Sequence, residues 1–386
     1  MVANLSLPRI MRVGRGAADE LGDVITGLGL SRPLLVTDAF LVGTGAAERL
    51  TATLRKAGPH PRLFSGTVPD PTTDSLASGL EALHDHQADS VIGFGGGSPM
   101  DTAKALALLA LQGGHMRQYK APRMNLGPAL PVIAVPTTAG SGSEATQITV
   151  ITDSATDEKM LCMGPAFLPL AAVVDAELTI SMPPRLTADT GIDALTHAVE
   201  AYVSRKANPF SDTLALTAIQ TIGRHLHRAY TDGGDTEARE AMMLAATQAG
   251  IAFSNSSVAL VHGMSRPIGA HFHIAHGLSN AMLFPAVTAF SAHAAPSRYA
   301  DCARALGAAT TADSDTVAAA KLVDALSGLC HDLAVPTPHD YGIDHDAWSR
   351  LTPLMAEQAL ASGSPANNPV VPTTDEIQDL YNRIYA

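Results

Sequence analysis

Residues 191–200 read GIDALTHAVE and place Asp193 and His197 four apart in a strongly helical segment. At 3.6 residues per turn both side chains leave the same helix face, about one turn apart. A carboxylate and an imidazole at that spacing can share one metal ion, although a surface hydrogen bond is the plainer reading of such a pair alone. Residues 262–276 read HGMSRPIGAHFHIAH, with four histidines in fifteen positions. Gly263, Pro267 and Gly269 are expected to break this stretch, so that His262 and His276 can both turn inward. A surface histidine cluster is the alternative. Against it, residues 258–261 and 278–285 on either side are apolar, and buried imidazoles need partners. One carboxylate and three neutral imidazoles suit Fe(II), Zn(II), Mn(II) or Ni(II), with coordination positions left for a substrate oxygen.

A second chemical signal lies at 91–104, VIGFGGGSPMDTAK. An apolar run enters Gly95-Gly96-Gly97-Ser98 and a helical pattern starts at once. Glycines let backbone N–H groups approach a ligand, and a new helix offers unpaired amides with positive dipole character, a cradle suited to a pyrophosphate. A tight strand-to-helix turn is the competing reading, and the run is neither G-x-G-x-x-G nor a Walker loop. Ser98 and Asp101 have capping-box spacing, and Pro99 fits the first helical position. Asp38 closes the run LLVTD, where a doubly wound sheet often sets an acid against ribose hydroxyls. There it would repel a 2′-phosphate and favour NAD over NADP; a cap on the next segment is the local alternative.

Two kinds of scaffold must carry these residues. Up to about residue 180, apolar strand-like runs at 33–37, 90–94, 131–135, 148–152 and 171–175 alternate with amphipathic stretches such as 44–57 and 102–111. That alternation predicts a parallel sheet covered on both faces. From 187 onward the apolar residues recur every three or four positions, at 195–202, 213–226, 238–252, 316–329 and 374–385, which predicts an all-helical domain. The expected domains are therefore 1–180, α/β and dinucleotide-binding, and 181–386, all-α, carrying metal and substrate.

Bulk properties narrow the partners. The 386 residues are 46% hydrophobic with a net charge of −12. Such a surface repels phosphate backbones, so neither nucleic acid nor an anionic membrane is expected as a partner. No window approaches the ~18 uninterrupted apolar residues of a membrane helix. Cys162, Cys302 and Cys330 are scattered and odd in number, which suits a reducing cytoplasm.

The segments GGGSPMDTAK, PTTAGSGSEAT, TGIDALTHAVEAY and VHGMSRPIGAHFHIAHG occur in this order. Together they resemble the iron-containing (group III) alcohol dehydrogenases, the family of lactaldehyde reductase and 1,3-propanediol dehydrogenase, over nearly the whole chain. The resemblance implies the dehydroquinate synthase-like architecture, an α/β dinucleotide-binding domain followed by an all-α domain, with the active site in the cleft between them. It implies Asp193, His197, His262 and His276 as ligands of one divalent ion, Fe(II) first and Zn(II), Mn(II) or Ni(II) as alternatives. It places Gly96, Gly97, Ser98 and Asp101 at the pyrophosphate of NAD, Thr137, Thr138 and Lys159 along the rest of the cofactor, and Asp38 at the ribose.

The implied activity is a metal-dependent, NAD-linked alcohol dehydrogenase or aldehyde reductase acting on a small alcohol, diol or hydroxy-acid. The implied assembly is a homodimer or larger homo-oligomer. One departure stands out. Many members carry a histidine four residues after the first distal ligand, and Arg266 occupies that position here. Arginine stays protonated and cannot relay a proton in the ordinary way, which leaves His271, His273, cofactor ribose or water as a possible proton route, or metal polarisation without one, and Arg266 as a possible contact for an anionic substrate group, with a structural salt bridge as the alternative. The rival activities are a dehydroquinate synthase-like lyase, which also uses NAD and a divalent metal, and a glycerol-type zinc dehydrogenase, whose metal site lacks the fourth ligand.

Overall fold

The computed structural model describes residues 3–386. Strands are β1 (Ile10–Val13), β2 (Pro33–Asp38), β3 (Arg62–Thr67), β4 (Ser90–Gly95), β5 (Val132–Pro136), β6 (Ile148–Asp153), β7 (Glu158–Met163) and β8 (Ala171–Val174). Six of them form one parallel sheet in the order β1-β8-β5-β4-β2-β3. Its central strands are buried at nearly every position because both faces are covered. Leu34, Val36, Val91 and Val132 point into one core, whereas Leu35, Ile92 and Ile133 point into the other. That is the alternation a strand imposes on successive side chains.

Helices α1 (Leu21–Gly27), α2 (Ala39–Gly43), α3 (Ala46–Lys56), α4 (Leu76–Asp85) and α5 (Gly97–Gln112) belong to the same unit, with α4 and α5 contributing to the first core and α1 and α3 to the second. The run at 148–152 departs from expectation. It forms β6, which pairs antiparallel with β7 as a separate two-stranded ribbon. Its burial alternates residue by residue, the mark of a strand with one covered face. Strands β1, β3 and β7 are absent from the sequence reading; β1 and β3 are the sheet's edges.

By its contacts the chain divides into compact units, one running from Leu5 to Ser181 and the other from Met182 to Ala386. The second contains no named strand among the described residues. Its helices are α6 (Pro184–Val203), α7 (Pro209–Thr231), α8 (Thr236–Ser254), α9 (Leu260–Phe272), α10 (His276–Ser291), α11 (Pro296–Leu306), α12 (Asp315–Asp332), α13 (His345–Ala361) and α14 (Thr374–Ile384). Among the described residues no helix is long and apolar enough to cross a membrane.

Candidate metal centre and cofactor turn

The metal candidates come from three helices of the second unit. Asp193 and His197 lie one turn apart on α6, His262 lies in the first turn of α9, and His276 opens α10. The predicted breaks at Gly263, Pro267 and Gly269 do not occur, since α9 runs through all three. The chain turns instead at His273, which takes a left-handed conformation (φ 54°) at the C-cap of α9. Gly263 is needed for packing, because a Cβ there would lie 2.7 Å from the Pro365 ring. Gly277 has the same kind of role between helices. A Cβ on it would stand 2.5 Å from the Asp189 carbonyl oxygen, so only glycine lets α10 approach α6 closely enough to bring His276 beside Asp193.

One ligand atom from each of the four residues lies within 4.8 Å of every other. Asp193 Oδ1 is 3.8 Å from His197 Nδ1, 3.6 Å from His262 Nε2 and 3.8 Å from His276 Nε2. Donors about 2.1 Å from a tetrahedral ion would stand roughly 3.4 Å apart, so this donor set has the chemistry and nearly the spacing for one ion. Asp193, His197 and His262 are buried, and His276 is the more open side chain. Burial opposes the charge on Asp193, but the imidazoles of His197, His276 and His262 outweigh it and hold its carboxyl well below the usual range.

The neighbours orient these donors. Glu200 lies one turn beyond His197 on α6, and its Oε2 is 2.6 Å from His262 Nδ1. The same carboxylate accepts from the backbone N–H groups of Ala259 and Val261. With Nδ1 committed to Glu200, the neutral His262 ring keeps its Nε2 lone pair toward Asp193. Ser265 Oγ lies 3.3 Å from His276 Nδ1 and does the same for that ring. His197 stacks on Phe253 at 4.3 Å between ring centres. Glu200 and Asn280 were not singled out from sequence. The available signal was helical spacing: Glu200 is seven after Asp193, and Asn280 four after His276.

The other histidines and Arg266 stand as follows. His271 Nε2 is 2.8 Å from Gln358 Oε1, and His273 is exposed. Arg266 is buried, and its Nη1 donates to Ser364 Oγ at 2.8 Å. Burial pushes the pKa of the guanidinium down to about 10, with the charge of Glu200 opposing.

In the first unit, Asp38, the Gly95–Gly97 turn and Thr137–Thr138 follow the carboxyl ends of three neighbouring strands, β2, β4 and β5. Ligands of open α/β sheets bind at that edge. Gly95 (φ 148°) turns β4 into α5, and a Cβ on it would meet the Pro99 ring at 2.5 Å. A Cβ on Gly96 would lie 3.5 Å from the Thr138 side chain, and one on Gly97 3.5 Å from Ser141 Cβ, so the glycine turn and the PTTAGSGSEAT loop adjoin.

The expected capping box is absent. Gly96 is the N-cap of α5, no side chain caps it, and Pro99 is the third helical residue. Asp101 instead accepts from Ser143 Oγ at 2.9 Å and from the Val150 N–H at 3.0 Å, which draws its carboxylate away from the helix start. Desolvation raises its pKa, with Lys104 opposing. Asp38 caps α2 through a 2.9 Å bond from the Leu41 N–H to Oδ1, and Lys159 Nζ pairs with Asp70 at 2.9 Å.

Lys104, unmarked in the sequence reading, is fully buried. Its ammonium faces Ser143 O and Oγ, Thr146 O and Oγ1 and Ile148 O at 2.7–3.1 Å. Burial pushes its pKa down to about 8, with Asp101 and Glu144 opposing. It pins the helix that follows the glycine turn to the neighbouring loop.

A parallel sheet with a glycine turn at its carboxyl edge and a helical unit that gathers one carboxylate and three imidazoles have the features of an oxidoreductase of the alcohol dehydrogenase kind. The chain belongs to the iron-containing alcohol dehydrogenase family: the family's iron-containing alcohol dehydrogenase model matches residues 8–176, and its C-terminal model matches residues 187–385. The NAD-dependent methanol dehydrogenase of Bacillus methanolicus is 36% identical over 98% of this chain and 99% of that protein. The lactaldehyde reductase of Escherichia coli K12 is 36% identical over 96% of each. A crystal structure of 1,3-propanediol oxidoreductase superposes with a TM-score of 0.96 at 35% identity, covering 100% of both chains.

Proposed function

We propose that this protein is a metal-dependent, NAD-linked alcohol dehydrogenase or aldehyde reductase acting on a small alcohol, diol or hydroxy-acid. The observation that carries the reading is the convergence of Asp193, His197, His262 and His276 to within 4.8 Å. Fe(II) is the ion proposed first, with Zn(II), Mn(II) or Ni(II) as alternatives. A bound ion would polarise the substrate oxygen, and nicotinamide would carry the hydride.

The chain's own residues supply binding and orientation. Asp193 brings one full negative charge to the centre, Glu200 and Ser265 aim two of the imidazoles, and Phe253 backs the third. Backbone N–H groups at Gly96, Gly97 and Ser98 are the proposed pyrophosphate cradle, lined by Thr137 and Thr138. The second Asp38 oxygen is proposed to face the ribose, while Asp101 and Lys159 act through the loops they hold. His273, exposed beside the turn into α10, is the proposed outlet for the alcohol proton, with His271 as its alternative.

Metal analysis of anaerobically purified protein, followed by an NAD-coupled assay of short alcohols, diols and hydroxy-acids before and after chelation, tests this reading. Turnover is expected to vanish on chelation and return with the metal. His276→Ala is expected to lose metal and turnover together while the fold survives. A metal-replete, fully active variant would refute the ligand set. Cytoplasmic residence and a homodimer or larger homo-oligomer complete the proposal, and sedimentation of the purified protein reads the second.

A further inference from the structure

We infer that Asn280 is a positioning residue of the candidate metal centre, holding the Asp193 carboxylate and keeping the His262 and His276 lone pairs aimed at one point. This rests on the metal-dependent reading above. Asn280 lies on α10 one turn after His276, on the same face, and is fully buried. Its Nδ2 stands 2.6 Å from Asp193 Oδ1, 3.2 Å from His262 Nε2 and 3.2 Å from His276 Nε2. Those atoms belong to three of the four converging residues.

The orientation of the amide follows from the partners. Only a donor can face a carboxylate oxygen at that distance, so the nitrogen side points to Asp193 and the bond is charge-assisted. A carboxamide NH2 has two hydrogens and here meets three acceptors, so after Asp193 is served one hydrogen remains for two imidazole lone pairs. The group therefore holds the three donor atoms together without saturating them.

The other half of the amide shows that stability alone does not account for this residue. Asn280 Oδ1 is buried and has no hydrogen-bond partner among the described residues. A buried, unpaired acceptor costs on the order of 1–3 kcal/mol. An apolar side chain would avoid that cost but would leave Asp193 Oδ1 without its donor.

The test is a Co(II) titration of chelator-stripped wild type, Asn280→Ala and His276→Ala, reading Kd, the visible absorption of the bound ion and the Tm of each stripped protein. Asn280→Ala is expected to weaken Co(II) binding about 10–100-fold and to change the absorption band, while the stripped Tm reads separately what loss of the bond to Asp193 costs the fold. A Kd within twofold of wild type with an unchanged band overturns the role of Asn280. The His276→Ala arm reads the foundation separately: wild-type Co(II) affinity there would overturn the metal centre itself. Should Asn280→Ala fail to fold, Asn280→Asp replaces it. That variant removes the amide donor and sets a second carboxylate against Asp193, so the bound-Co(II) absorption band is expected to shift from wild type, and an unchanged band overturns the proposal.

Discussion

Glu200 Oε2 lies 2.6 Å from His262 Nδ1, with both side chains buried. This pair joins the last turn of α6 to the start of α9, and the same carboxylate receives the N–H groups of Ala259 and Val261, which the first turn of a helix leaves open. Burial opposes charging of His262, yet Glu200 and Asp193 together outweigh it and the pKa of the ring is raised. Glu200→Gln removes the charge that fixes the ring's tautomer and is expected to weaken metal binding about 10–100-fold. Glu200→Ala leaves three donors unpaired and is expected to cost about 3 kcal/mol or more. Metal titration and thermal melting of the stripped protein check the two effects independently.

Gly277 sets the distance between α10 and α6. Gly277→Ala drives a Cβ against the Asp189 carbonyl and to 3.4 Å from Asp193 Cβ, and helix backbone cannot yield as a long side chain does. A loss of about 1–3 kcal/mol is expected, together with weaker metal binding because His276 moves with α10. A variant with wild-type Tm and wild-type metal content would show that the helices have room to spare.

Arg266 offers a choice between substrate contact and internal support. If its guanidinium meets an anionic substrate group, Arg266→Ala should lower kcat/KM for a hydroxy-acid at least tenfold more than for a neutral diol, the loss of one charge-assisted contact. Equal losses for both classes would leave it with its bond to Ser364 and the neighbouring charge of Glu200. Steady-state kinetics on the two substrate classes decide between these.

The β6–β7 ribbon carries an acid-sensitive contact. Asp153 accepts from the Ala155 N–H and from Arg117 Nε, and these bonds hold its pKa below the ordinary value. The unfolded chain binds the proton first, so the stabilisation is complete above pH ~4 and is lost as pH falls through the lower, folded value. Asp153→Asn should lower Tm at pH 7 and lessen the fall in Tm below pH ~4. A wild-type acid profile in the variant would remove Asp153 from the account.

Much of this protein is legible in the sequence where the determining physics is local. Helical spacing put Asp193 and His197 on one face, and the apolar runs at 33–37, 90–94, 131–135 and 171–175 became strands because burial on both faces demands such runs. Local rules misplaced what depends on partners. The run at 148–152 has strand chemistry, but nothing within it says that β7 rather than the parallel sheet will pair with it. Ser98 and Asp101 have capping-box spacing, but Asp101 is drawn to Ser143 and Val150 by the packing of a later loop. Pro267 and the glycines at 263 and 269 look like breakers, yet α9 persists because neighbouring helices hold it, and the turn falls at His273.

The sequence alone determined which residue types and spacings were available for a metal centre and a cofactor turn. Tertiary structure decided which of them meet, and which unmarked residues, Glu200, Asn280 and Lys104, stand among them. Spacing along a helix fixes direction within one element, whereas the distance between side chains on three helices is set only when the helices pack.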